Sequence, residues 1–135
     1  MKAQIALITI ITADIQNLLR FYCDGLGFSI KTNLGKYVEL NHEGVRFALC
    51  ERSVMHDATG HPSFLEEKRG ASFELAFPLN TPGDVDAAYK EILSKGAVPI
   101  QAPATMPWGQ RTAFFADPDG NIHELFADLP EDQSE

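Results

Sequence analysis

Apolar positions along this chain change period in a repeating way. "IALITII", Ile5–Ile11, is an almost unbroken apolar run of strand length, as expected of a strand buried in a sheet. From Ile15 the spacing turns helical. Ile15, Leu18, Leu19, Tyr22 and Leu26 fall on one stripe, Asp14 stands at the N-cap, and Gly25 and Gly27 predict the stop. Three short strands are predicted next, around Phe28–Thr32, in "KYVEL" and in "VRFALC".

The same order then returns. "SFELAF", Ser72–Phe77, reads as a strand, and "TPGDVDAAYKEILSKGA" as an amphipathic helix. Thr81 is its cap, Pro82 takes the first helical position and Asp84 completes a capping-box spacing. Val85, Ala88, Tyr89, Ile92 and Leu93 form the apolar stripe, which Gly96 ends. Strands are predicted again around Val98–Ile100, in "RTAFFA" and in "NIHELF". Each half joins its last two strands by a turn ending in glycine, "NHEG" (Asn41–Gly44) and "DPDG" (Asp117–Gly120). The pattern is strand–helix–three strands, written twice, with one module over about residues 3–52 and the other over about 71–129. Between them, about 53–70 is a polar stretch of the length that forms lids or linkers, with room for helical content around "PSFLEEK". The acidic tail "LPEDQSE" is expected to fray.

Composition narrows the function classes. A chain of 135 residues is expected to form a single domain, 1–135, with a sizeable core, and 44% hydrophobic residues are ordinary for a folded protein. The net charge of −8 argues against a nucleic-acid partner and against an anionic membrane surface, since no basic stripe exists to displace phosphate counterions. Cys23 and Cys50 are too few for a disulfide framework and fit a reducing compartment. No stretch reaches the roughly 18 to 20 apolar residues of a membrane span. "MKAQIALITII" is too short for a convincing signal peptide and runs straight into "TADIQNLLRFY". A cytoplasmic location is expected.

Three motifs give the duplication a family likeness: "TADIQNLLRFYCDGLGF" after the first strand, "ELAF" opening the second half, and "WGQRTAFFADPDGNIHELF" at the end. The chain resembles the vicinal oxygen chelate superfamily, which contains glyoxalase I, bleomycin-resistance proteins, extradiol dioxygenases, fosfomycin-resistance transferases and methylmalonyl-CoA epimerase. The resemblance implies an α+β fold in which two βαβββ modules curl into a curved, open-barrel mixed sheet around a pocket. It also implies a homodimer.

In metal-dependent relatives, ligands come from the first and last strands of each module. Aligning the two turns on Gly44 and Gly120 sets Ala48 opposite Glu124, and aligning the first strands sets Leu7 opposite Glu74. Glu124 matches the family's glutamate ligand, Glu74 stands where many relatives have histidine, and Leu7 and Ala48 offer no donor atom at all. Transition ions normally take three or four donors including imidazole, so no permanent transition-metal cofactor is expected. A hard divalent cation on Glu74 and Glu124 would be held weakly. His42, His56, His61 and His123 are expected to be solvated or structural, and His123 lies on the strand face opposite Glu124.

Two carboxyls meeting in an apolar-walled cavity cannot both ionise comfortably. Glu74 and Glu124 are therefore candidate catalytic residues, or a receptor for a basic or hydroxylated ligand, or the lining of a wet vestigial cavity. Leu7, Ala48, Trp108 and Arg111 are further ligand-binding candidates, with Phe47, Phe114 and Phe115 as other aromatic ones. Phe114 and Phe115 alternate, so both cannot face inwards. Arg111 is expected to meet an anionic ligand or to pair with one of the glutamates. Neither cysteine has an evident base nearby. The expected function is small-molecule binding without a permanent metal. The alternatives are a divalent-metal-dependent lyase, isomerase or dioxygenase, and a non-catalytic dimeric interaction domain.

Overall fold

The computed structural model describes residues 1–2, 4–67 and 73–131. Two units divide the chain, Met1–Lys68 and Arg69–Glu135. In the N-terminal unit, β1 (Leu7–Thr12) leads into α1 (Ile15–Arg20), which widens into a π-helical turn over Phe21–Gly25. Then come β2 (Ile30–Asn33), β3 (Tyr37–Leu40) and β4 (Arg46–Glu51). Asp14 caps α1, its Oδ1 accepting the Asn17 N–H at 3.1 Å. The strands lie in the order β1-β4-β3-β2, with β1 parallel to β4 and the other neighbours antiparallel. Ile10, Val38, Leu40, Phe47 and Leu49 are buried on the helix side, where the Tyr22 and Phe47 rings meet edge-on at 5.8 Å. Leu7, Thr9, Glu39, Arg46 and Ala48 alternate onto the other face.

The C-terminal unit repeats the plan. It comprises β5 (Ala76–Pro78), α3 (Pro82–Ser94), β6 (Val98–Met106), β7 (Gln110–Ala116) and β8 (Ile122–Asp128), in the order β5-β8-β7-β6. The predicted capping box on α3 forms. Thr81 Oγ1 accepts the Asp84 N–H at 3.2 Å and Asp84 Oδ2 accepts the Thr81 N–H at 3.1 Å. Val85, Tyr89 and Ile92 pack with Ala113, Phe115, Leu125 and Ala127 as the core of this unit. The architecture is the expected α+β pair of βαβββ modules. Strand pairing also bears out the internal alignment: Thr9 pairs with Ala48 and Ala76 pairs with Glu124, so Leu7 and Glu74 stand two residues upstream of matching partners.

Three element boundaries differ from expectation. The first half of the polar connection is an eight-residue helix, α2 (Arg52–Thr59), followed by a 3-10 turn at Pro62–Leu65. Nothing in the sequence announced α2, because Glu51 makes no capping hydrogen bond and no α2 residue is fully buried. A bond from Arg52 Nη2 to the Ser63 carbonyl at 2.8 Å ties α2 to that turn. β6 runs nine residues instead of three. It carries Pro99 and Pro103, which are tolerated because β6 is an edge strand, where a missing N–H costs no ladder bond. β5, expected from Ser72, begins only at Ala76; Ser72 itself and residues 132–135 of the acidic tail lie outside the described residues. Among the described residues no helix is long and apolar enough to cross a membrane.

Candidate functional site

Glu124 owes its position to the turn before it. Asp117 is fully buried, and its Oδ1 accepts the N–H groups of Asp119 and Asn121, each at 2.9 Å. Its Oδ2 accepts from the Asn121 side-chain amide at 2.8 Å. Gly120 holds a φ of +85°, which favours glycine. This knot starts β8 in one register, so Glu124 pairs with Phe114 of β7 on one side and Ala76 of β5 on the other. Ile122, Glu124, Phe126 and Asp128 alternate onto the face away from α3, together with Gln110, Thr112 and Phe114.

The Glu124 carboxyl is half-buried and makes no hydrogen bond or ion pair among the described residues. Burial, and then the neighbouring charge of Glu74, push its pKa up from the ordinary carboxylate range. Glu74 is exposed in irregular chain just before β5. Two like charges near an apolar surface, with no cation set between them among the described residues, make a site that favours a proton or an incoming cation.

The other candidates separate. Arg111 meets neither glutamate. Its guanidinium grips Asp86 of α3, with Nη2–Oδ1 at 2.9 Å and Nε at 3.2 Å from both oxygens, and also donates to Thr105 Oγ1 at 3.0 Å. Alternation along β7 puts Arg111 on the helix side, so its partner is a helix carboxylate. Phe47 and Phe115 are likewise core residues, and Phe115 packs against His123 at 5.7 Å. Phe114 is the phenylalanine that shares the Glu124 face. Trp108 sits in the β6–β7 turn, 66% exposed, its Nε1 donating to Gln110 Oε1 at 3.0 Å. Gln110 donates in turn to Asp128 Oδ1 at 3.1 Å, four residues and roughly 13 Å along the strand from the Phe114–Glu124 pair. Leu7, 37% exposed, and Ala48, fully buried, belong to the N-terminal unit.

The histidines take structural positions. His42 Nδ1 lies 2.8 Å from the Val45 carbonyl, His61 Nδ1 accepts the Ser63 N–H, and the His56 carbonyl ends α2. His123 is fully buried on the helix side of β8. Among the described residues no group of three or more His, Cys, Asp or Glu side chains gathers as a metal site would require. Cys23 and Cys50 are free thiols whose pKa values are raised, chiefly by burial, which keeps them protonated.

Sequence reasoning missed a second carboxylate cluster. Glu39, 5% exposed, pairs across the sheet with Ala48. Arg46 clamps it with contacts of 2.6 and 3.1 Å, and Lys31 Nζ approaches to 3.6 Å. The Arg46 hydrogen bonds above all hold its pKa below the ordinary range. The alternation of "VRFALC" with "KYVEL" was the available signal. Thr112 was also missed. It is buried on the Glu124 face, with no partner for its Oγ1 among the described residues.

Residues 4–125 match the model of the Glyoxalase/Bleomycin resistance protein/Dioxygenase superfamily. The chain belongs to this superfamily. A glyoxalase/bleomycin resistance protein/dioxygenase from Nocardioides is similar in structure, with a TM-score of 0.83 and 27% identity, covering 100% of this chain and 88% of the other. A superfamily enzyme from Burkholderia phytofirmans PsJN has the same TM-score of 0.83 at 22% identity, over 94% of this chain and 100% of its own, a likeness of fold. In sequence, YraH, an uncharacterized protein of Bacillus subtilis (strain 168), is 28% identical over 123 residues, 88% of this chain and 94% of YraH.

Proposed function

We propose that this superfamily member binds a small organic molecule against the face that carries Glu74 and Glu124, without a permanent transition metal. The observation that carries this reading is the Glu124 carboxyl, which no cation neutralises among the described residues. A structural carboxylate in a sheet is normally paired, as Glu39 is, whereas Glu124 stands beside an aromatic partner with its pKa pushed up. With Glu74 adjacent, the favoured ligand is basic or polyhydroxylated, presenting an ammonium or hydroxyl to the carboxyls and apolar surface to Phe114 and Phe126. The metal-free part rests on chemistry: Leu7 and Ala48 supply no donor, and two carboxylates make a weak home for a transition ion. We propose a homodimer as the working form.

A thermal-shift screen of small organic amines and polyols tests the reading, because a ligand that binds the native state raises the melting temperature by mass action. A basic or hydroxylated compound should stabilise the wild type, and Glu124→Gln should lose that shift. Ni²⁺ and Zn²⁺ should produce none, and Mg²⁺ and Mn²⁺ only a small one at high concentration. A stoichiometric metal surviving dialysis, whose removal by chelator unfolds the protein, would overturn the metal-free reading in favour of a metal-assisted lyase, isomerase or dioxygenase.

A further inference from the structure

The backbone before β5 is held in an unusual way. In a parallel ladder each main-chain N–H that faces the neighbour goes to a main-chain carbonyl. Leu75 departs from this: its N–H donates to Nδ1 of His123 at 3.0 Å, while its carbonyl accepts the Glu124 N–H at 2.9 Å. Regular β5–β8 pairing starts only at Ala76. The imidazole stands in for a strand acceptor. The N–H it holds belongs to the peptide joining Glu74 to Leu75, so the bond fixes the plane beside the Glu74 Cα.

The ring is itself locked. His123 is 0% exposed, and the rings of Phe73, Phe77 and Phe115 lie 6.0, 6.1 and 5.7 Å from it. Because Nδ1 accepts, the ring's N–H is on Nε2, which faces Asp117 Oδ2 at 3.8 Å. That is too long for a hydrogen bond but close enough for attraction.

The N-terminal unit supplies an internal control. Phe47 stands three residues beyond Gly44, as His123 stands three beyond Gly120, and it too packs against aromatic rings, Tyr22 and Phe28. Phe47 cannot accept a hydrogen bond. There the parallel pairing runs unbroken from Leu7–Arg46 to Thr12–Glu51.

We propose that His123 is the positioning residue of the carboxylate pair: by holding the Glu74–Leu75 peptide off the regular ladder, it sets where Glu74 stands beside Glu124. This deepens the proposed function, and its importance for ligand binding rests on that reading. Without the imidazole acceptor, the chain carrying Glu74 loosens and the repulsion felt by Glu124 weakens.

The test is NMR on uniformly labelled protein. In the wild type, a nitrogen–nitrogen coupling across the hydrogen bond should link Leu75 N to His123 Nδ1. In His123→Phe, which borrows the other half's residue and keeps the aromatic packing, exchange of the Leu75 amide should speed up about tenfold relative to that of Ala127, the equivalent of one ordinary hydrogen bond. The titration midpoint of the Glu124 carboxyl should fall towards the ordinary range. His123→Asn, whose side-chain oxygen lies near the Nδ1 position, should restore both. Absence of the wild-type coupling overturns the proposal, as does a His123→Phe protein in which Leu75 exchange and the Glu124 midpoint stay put. If His123→Phe does not fold, the coupling and the Asn variant decide. No ligand enters these measurements, so a failed ligand screen beside a shifted midpoint sinks the binding reading alone.

Discussion

Glu39 and Glu124 are carboxylates on duplicated scaffolds, each facing away from its unit's helix, and they differ in what surrounds them. In the N-terminal unit Glu39 pairs with Ala48, and Arg46 and Lys31 neutralise it. In the C-terminal unit the position of Ala48 is taken by Glu124 and that of Glu39 by Phe114, with Glu74 as the nearby charge. One half therefore builds an internal ion pair, and the other builds a carboxyl that titrates late. The difference lies in one cation: Arg46 stands two residues before Ala48 on β4, whereas Ile122 holds the matching place before Glu124 on β8.

The largest expected effect concerns the two faces of β7. Phe115→Ala, which empties a site between Phe77 and His123, should cost about 4 kcal/mol in urea unfolding. Phe114→Ala, on the half-buried Glu124 face, should cost less than half as much; equal losses would mean that both faces are equally packed. The turns come next. Asp117→Ala removes the acceptor of three hydrogen bonds and should cost about 3 kcal/mol. Asn41→Ala, at the matching place in the N-terminal unit, loses an exposed bond to Ser29 and should cost under about 1 kcal/mol. Thr81→Ala breaks the α3 capping box for about 1 kcal/mol, readable as a drop in the urea midpoint.

The smallest effects carry the sharpest contrast, because their signs are opposite. Glu39 has its folded pKa lowered, so its stabilisation is present above the unfolded pKa and is lost as pH falls through the folded one. Glu39→Gln or Arg46→Ala should flatten that acid limb. Glu124 has its folded pKa raised, so stability falls as pH rises from the unfolded value through the folded one. Glu124→Gln should remove that loss and leave the protein slightly more stable at neutral pH. Unfolding free energies measured from pH 3 to 8 on both variants decide it, and slopes of the same sign would dissolve the contrast.

Much of this was legible from local chemistry. The helices over Ile15–Arg20 and Pro82–Ser94 were announced by caps and apolar stripes, which act within a few residues of one another. The correspondence of Ala48 with Glu124 followed from the turn glycines, because each turn fixes the register of the strand after it, and that of Leu7 with Glu74 from aligning the strands that enter the helices. α2 was not legible, since it lacks a capping bond and a buried stripe. β6 extends beyond the expected Val98–Ile100 across prolines that cost no ladder bond on a sheet edge, and edge position is a property of the assembled sheet.

By itself, then, the sequence determined the duplicated βαβββ plan, the alternation that sends His123 and Glu124 to opposite faces, and the correspondence of Ala48 with Glu124 between the halves. Only the tertiary structure decided that Arg111 belongs to Asp86, that Arg46 reaches Glu39, and that the His123 ring takes the Leu75 N–H. Those partners lie on different elements, up to 48 residues apart in the last case. Periodicity fixes which way a side chain points along its own strand. Which group it meets depends on how strands and helices pack, and that is settled only when the core closes.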